Sequence, residues 1–152
     1  MTPISSSQLS DYIKIGNPLD QMHLTQGFGE CHPSVCKNYK SWGLEGHNGH
    51  DLRAPTGTPV MAVFDGRVTS CGVDHTGGIF ITMQTPPVKV DDQSVALEVI
   101  YYHLQTYNVR KGQKYDRGFQ GGAGHSRRHG LGNVRRADRG HGPDGPPQGQ
   151  GD

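Results

Sequence analysis

The segment Gly46-His47-Asn48-Gly49-His50-Asp51 brings two imidazoles and a carboxylate within six residues, with glycines at 46 and 49. Imidazole nitrogen and carboxylate oxygen are common zinc donors, and glycine lets the backbone turn so that neighbouring side chains converge. His47 and Asp51 stand four apart with Gly49 between them, so both can reach one cation. A cation held this way supports hydrolysis, because it polarises a carbonyl and acidifies water. The next candidate is His103, in Tyr101-Tyr102-His103-Leu104 at the end of an apolar run. On its own a strand histidine is a packing or surface residue. Beside a polarising cation it becomes an imidazole that can take or give a proton.

The bulk composition limits what can surround these residues. The 152 residues suffice for one domain with a core. Only 32% of them are hydrophobic, 23 are glycine, and nearly all the apolar ones precede Gly118. A net charge of +1 gives no field that would recruit nucleic acid or an acidic membrane. No stretch approaches the apolar length of a membrane span, and residues 1–20 lack the basic-then-apolar pattern of a secretory signal. Three cysteines leave several readings open. Cys31 and Cys36 are close enough to pair across a short loop, are equally compatible with incidental thiols, and make a poor zinc site with His32 because no second Cys/His pair completes it.

The elements that would position the chemistry are β-strands. Residues 1–19 form a polar lead-in with one short apolar stretch, Tyr12-Ile13-Lys14-Ile15, and residues 27–33 are turns. Residues 59–64 form the first strand, Asp65-Gly66 a hairpin turn, and residues 67–73 the returning strand. Residues 78–84 and 95–104 are two further strands. No sustained helical period with caps occurs, so the fold class is all-β, an antiparallel sandwich or barrel. From residue 119 to 152 the chain is Gly, Arg, Pro and His with almost no apolar residues. Such a composition cannot offset its ordering entropy and is expected to be a disordered tail. It lacks the interleaved aromatics of an RNA-binding Arg/Gly segment.

Several motifs then fall in a specific order. They are Thr25-Gln26-Gly27-Phe28-Gly29, the H-x-G-x-D of His47 to Asp51, Ala54-Pro55-Thr56-Gly57-Thr58-Pro59-Val60 with Asp65-Gly66-Arg67-Val68, Tyr102-His103-Leu104, and Val109-Arg110-Lys111-Gly112-Gln113. In this order the chain resembles the lysostaphin-like, or LytM-type, zinc metallopeptidases, the peptidoglycan endopeptidases. The likeness covers about residues 20–118. It implies a lysostaphin-like sandwich and barrel hybrid, a Zn(2+) cofactor, and bacterial peptidoglycan peptides as the substrate. It also implies that His47 and Asp51 are two of three zinc ligands and that His103 is a catalytic histidine. His50 stands where the family is usually aliphatic and is read as a bystander.

One departure is large. The family closes its site with H-x-H, whose second histidine is the third ligand, and no H-x-H occurs in this chain. The domain is therefore read as C-terminally incomplete, with the peptidase domain over residues 20–118. Degenerate codons for residues 125–137 permit a one-base-shifted reading that resembles the stretch leading into the family's H-x-H, which implies a frameshift near residues 117–121. The resemblance implies a zinc endopeptidase acting at the cell wall, as a phage-type lysin or an exported enzyme. The alternative is a catalytically inactive module that binds the wall or regulates another hydrolase.

Overall fold

The computed structural model describes residues 4–75, 77–124 and 129–136. Two short helices are found among them, α1 (Ser6–Tyr12) and α2 (Cys36–Ser41). The strands are β1 (Leu24–Gln26), β2 (Gly49–Leu52), β3 (Pro59–Met61), β4 (Gly66–Asp74), β5 (Gly78–Gln84), β6 (Val88–Val90), β7 (Gln93–Val95), β8 (Leu97–Tyr107), β9 (Lys114–Tyr115), β10 (Gln120–Gly124) and β11 (His129–Arg136). Nine of these form one antiparallel sheet along the path β1-β2-β11-β8-β5-β4-β9, with β10 joining β3 to β8. β6 and β7 make a separate hairpin.

The framework is β4, β5 and β8, whose branched and aromatic residues suit a pleated, half-buried surface. Phe64, Val68 and Val99 are among the most deeply buried side chains, at no more than 2% exposure. Leu97, Val99 and Tyr101 alternate into the core along β8. One edge of β8 pairs with β5, while the other is shared: residues 104–107 pair with β10 and residues 97–101 with β11. The sheet therefore forks at β8, one branch leading through β10 to β3 and the other through β11 to β2 and β1.

The structure corrects three expectations. First, the sheet does not stop near residue 118, because Gln120–Gly124 and His129–Arg136 are paired strands. The edges of β2, β3 and β8 present free N–H and C=O groups that a backbone can satisfy without apolar side chains. The glycines, read as a mark of disorder, serve close approach instead: a Cβ on Gly121 would lie 3.0 Å from Val109 Cγ1, and one on Gly122 3.1 Å from the Thr106 carbonyl oxygen. The disorder expected over residues 125–128 and 137–152 lies outside the described residues. Second, Asp65-Gly66 is no hairpin turn, since β3 pairs with β10 and β4 with β5 and β9. Asp65 Oδ1 instead accepts the Arg117 N–H at 2.6 Å, tying the segment to the turn before β10. Third, the lead-in is packed: Ile13 and Leu19 belong to the core, and α1 starts from a Ser5–Gln8 capping box.

Candidate active site

Asp51 sits on β2 and His47 in the loop that leads into it. The antiparallel neighbour β1 sets Gln26 opposite Asp51, and Thr25 Oγ1 donates to the Asp51 carbonyl at 3.2 Å. His47 is fixed by a reciprocal backbone clamp: Gly29 N–H donates to the His47 carbonyl at 2.7 Å, and His47 N–H to the Glu30 carbonyl at 2.8 Å. Gly46 makes the clamp possible, because a Cβ there would collide with the Gly29 carbonyl.

The clamp brings the two side chains together. His47 Nε2 lies 3.4 Å from Asp51 Oδ1, with the side chains only 11% and 12% exposed. That separation exceeds the usual N–H···O range of about 2.7–3.2 Å. It equals the spacing of about 3.4 Å that two tetrahedral zinc ligands keep when each bond is near 2.1 Å. His47 Nδ1 is buried and has no hydrogen-bond partner among the described residues. The donor set therefore fits two positions of a zinc site. Among the described residues, no three His, Cys, Asp or Glu side chains gather as a metal cluster, so His47 and Asp51 stand as a pair.

His103 is delivered by an irregularity in β8. Tyr101 faces Ile81 and Leu104 faces Ile79, so three steps on β8 match two on β5. The extra residue is absorbed by a positive φ of 56° at His103, a left-handed conformation uncommon outside glycine. Burial accordingly shifts phase, from Leu97, Val99 and Tyr101 before the bulge to Leu104 after it, leaving His103 half-buried. The His103 N–H donates to the Gly77 carbonyl at 2.9 Å, and the Tyr102 ring occupies the space a Cβ on Gly77 would need.

β11 separates β8 from β2, and its Leu131 lies opposite both Tyr101 and His50. Two inter-strand steps put β2 and β8 about 10 Å apart. His50 itself is exposed.

The structure decides one alternative that the sequence left open and adds two features that it did not show. Cys31 and Cys36 form a disulfide, which sets aside both the incidental-thiol reading and a zinc site with His32; His32 Nδ1 instead lies 2.7 Å from Ser34 Oγ. Tyr39 of α2 places its ring 5.8 Å from the His47 ring. No local pattern marked it, since it acts across a loop. Tyr101 is structural: its hydroxyl accepts the Val63 N–H at 2.9 Å, and burial pushes its pKa up. No described helix is long and apolar enough to cross a membrane.

The sequence model of Peptidase family M23 matches residues 45–131, from just before His47 into β11. No curated protein sequence matches the chain significantly. Among solved structures, a zinc containing peptidase from Vibrio cholerae is similar with a TM-score of 0.61 at 24% identity, over 78% of this chain and 35% of that one. The chain thus spans about a third of that protein's length, and at this identity the likeness is one of fold. The catalytic domain of the antimicrobial peptidase lysostaphin from Staphylococcus simulans matches with a TM-score of 0.53 at 25% identity, over 72% of this chain and 77% of that one. The catalytic domain of a mutant of the prophage-encoded M23 protein EnpA from Enterococcus faecalis matches with a TM-score of 0.55 at 26% identity, over 87% and 91%.

Proposed function

This chain belongs to peptidase family M23, and from that premise we propose that it is a zinc metalloendopeptidase domain that hydrolyses peptide bonds in bacterial peptidoglycan. The observation that carries the reading is the His47–Asp51 pair, 3.4 Å apart, inside the segment that matches the family. The relatives' names support it: one is a zinc containing peptidase and another an antimicrobial peptidase.

In this reading His47 and Asp51 hold zinc, which when bound supplies Lewis acidity toward the scissile carbonyl and acidifies the attacking water. Burial of the pair keeps competing solvent away from both donors. His103, at the bulge of β8, would supply the imidazole partner of that pair. It orients the water or donates a proton to the oxygen that gains charge as the tetrahedral carbon forms. A disulfide persists in oxidising surroundings, which agrees with action at the cell wall.

A second reading rests on a specific observation: among the described residues only two donors come together, short of the three that catalytic zinc sites normally provide. In that case the chain is an inactive module that binds the wall or regulates another hydrolase. Incubation of the purified chain with peptidoglycan decides between them. Release of peptide amino groups that stops on chelation and returns with zinc is expected of the enzyme. Wall binding without release, at any zinc concentration, identifies the inactive module. The DNA sequence across the junction near Arg117 tests in parallel whether a shifted frame encodes the absent H-x-H.

A further inference from the structure

Asp51 is placed by a strand, whereas His47 precedes β2 in a loop and needs other support. The hydrogen bonds around it form a closed circuit. The Tyr39 hydroxyl donates to Gln26 Oε1 at 3.3 Å. Gln26 Nε2 donates to the Glu30 carbonyl at 3.3 Å, and the same carbonyl accepts the His47 N–H at 2.8 Å. The Tyr39 ring closes the circuit by packing 5.8 Å from the His47 ring. Gln26 is 7% exposed and is the β1 residue opposite Asp51, so the circuit touches both members of the pair.

The Cys31–Cys36 disulfide joins the circuit's two halves. Cys31 follows Glu30 directly, and Cys36 is the first residue of α2, one turn ahead of Tyr39. α2 has no side-chain cap and no buried residue, and at six residues it is too short to be stable alone. The covalent tie adds to the Gln26 hydrogen bond in holding Tyr39 over His47.

We propose that Gln26 and Tyr39 are positioning residues for His47, and that the Cys31–Cys36 disulfide keeps Tyr39 in place, so that a loop segment remote in sequence sets the affinity of the His47–Asp51 pair for a cation. The proposal rests on the zinc reading above for its ligand, but the positioning of His47 can be measured without metal. Tyr39 is half-buried on a surface helix, so Tyr39→Leu leaves the core intact. Tyr39→Phe keeps the ring and removes only the hydroxyl.

The test is native-state amide exchange on the full chain without metal, together with calorimetric titration by zinc chloride alone. In Tyr39→Leu and in the Cys31→Ser/Cys36→Ser double variant, exchange at His47 and Gly29 is expected to quicken tenfold or more, while exchange at Ile81 in β5 stays unchanged. Zinc affinity is expected to fall about 10- to 100-fold, the usual effect of losing a partner that orients a ligand. Tyr39→Phe should fall between wild type and Tyr39→Leu in both measurements. Unchanged exchange at His47 and Gly29 in Tyr39→Leu would overturn the proposal. So would quickening that is equal at Ile81, because the effect would then be global destabilisation. If wild type binds no zinc while exchange responds as expected, the zinc reading fails and the positioning circuit stands.

Discussion

The two regions that carry the candidate residues are built by different physics. The His103 side is an apolar wall: β4, β5 and β8 bury Phe64, Val68 and Val99, and the histidine is presented by one bulge in an otherwise regular strand. The His47 side is a polar corner, made of short β1 and β2, the 27–30 turn, a six-residue helix, a disulfide and the hydrogen bonds that converge on residues 26–30 and 47. The wall gains its rigidity from close packing, which tolerates little change in volume. The corner gains its rigidity from directional contacts, each small and each replaceable only by a group of the same geometry. Damage to the wall should therefore appear as lost stability, and damage to the corner as lost binding with most of the stability kept.

The most severe test of that contrast is Phe64→Ala. Removing a side chain that is 1% exposed should cost about 3–5 kcal/mol in urea unfolding. A cost under about 1 kcal/mol would mean that the wall is not close-packed. Gly46→Ala comes next. Its Cβ must displace the Gly29 carbonyl, so about 1–3 kcal/mol of stability is expected to be lost, with a larger proportional fall in zinc affinity. Equal stability and affinity in variant and wild type would remove the clamp from the account.

Tyr101→Phe probes the wall through pH. Burial raises the Tyr101 pKa above its ordinary value of 10.0, so the neutral phenol's contribution to stability is complete below pH 10 and is lost as pH rises toward the folded-state value. At pH 8 the variant should be less stable by about 1–3 kcal/mol, having orphaned the Val63 N–H. Urea midpoints measured up to pH 11 should show that gap narrowing; a constant gap would contradict the burial argument. The smallest effect is at the bulge. His103→Gly should be more stable than His103→Ala by about 1 kcal/mol, because only glycine adopts the positive φ without strain. The reverse order would show that the bulge is not held in the left-handed region.

The same contrast explains what could be read from the chain. The wall was legible: the strand expected over residues 78–84 matches β5, and the runs at 67–73 and 95–104 locate β4 and β8 to within a few residues. Those segments are dense in apolar, branched and aromatic residues, and turn residues separate the first two of them. The corner was legible only as chemistry. His47 and Asp51 stood out by residue type, but β1 and β2, at three and four residues, are too short for any period to register. Tyr39 contributes through a contact that depends on where α2 is tied. α1 was missed although Ser5-Ser6-Ser7-Gln8 carries a capping box, because its face holds few apolar residues. β10 and β11 were missed for the opposite reason: they pair through backbone groups, which every residue except proline supplies, and their glycines read as flexibility.

A cation held between His47 and Asp51 in the polar corner must depend on both side chains. Calorimetric titration of the metal-free full chain with zinc chloride, beside His47→Ala and Asp51→Ala variants that retain the wild-type unfolding midpoint, tests it most directly. One zinc per chain is expected in the wild type, with affinity reduced about 100-fold or more in each variant. Zinc binding that is unchanged in both variants, or absent from the wild type, would contradict it.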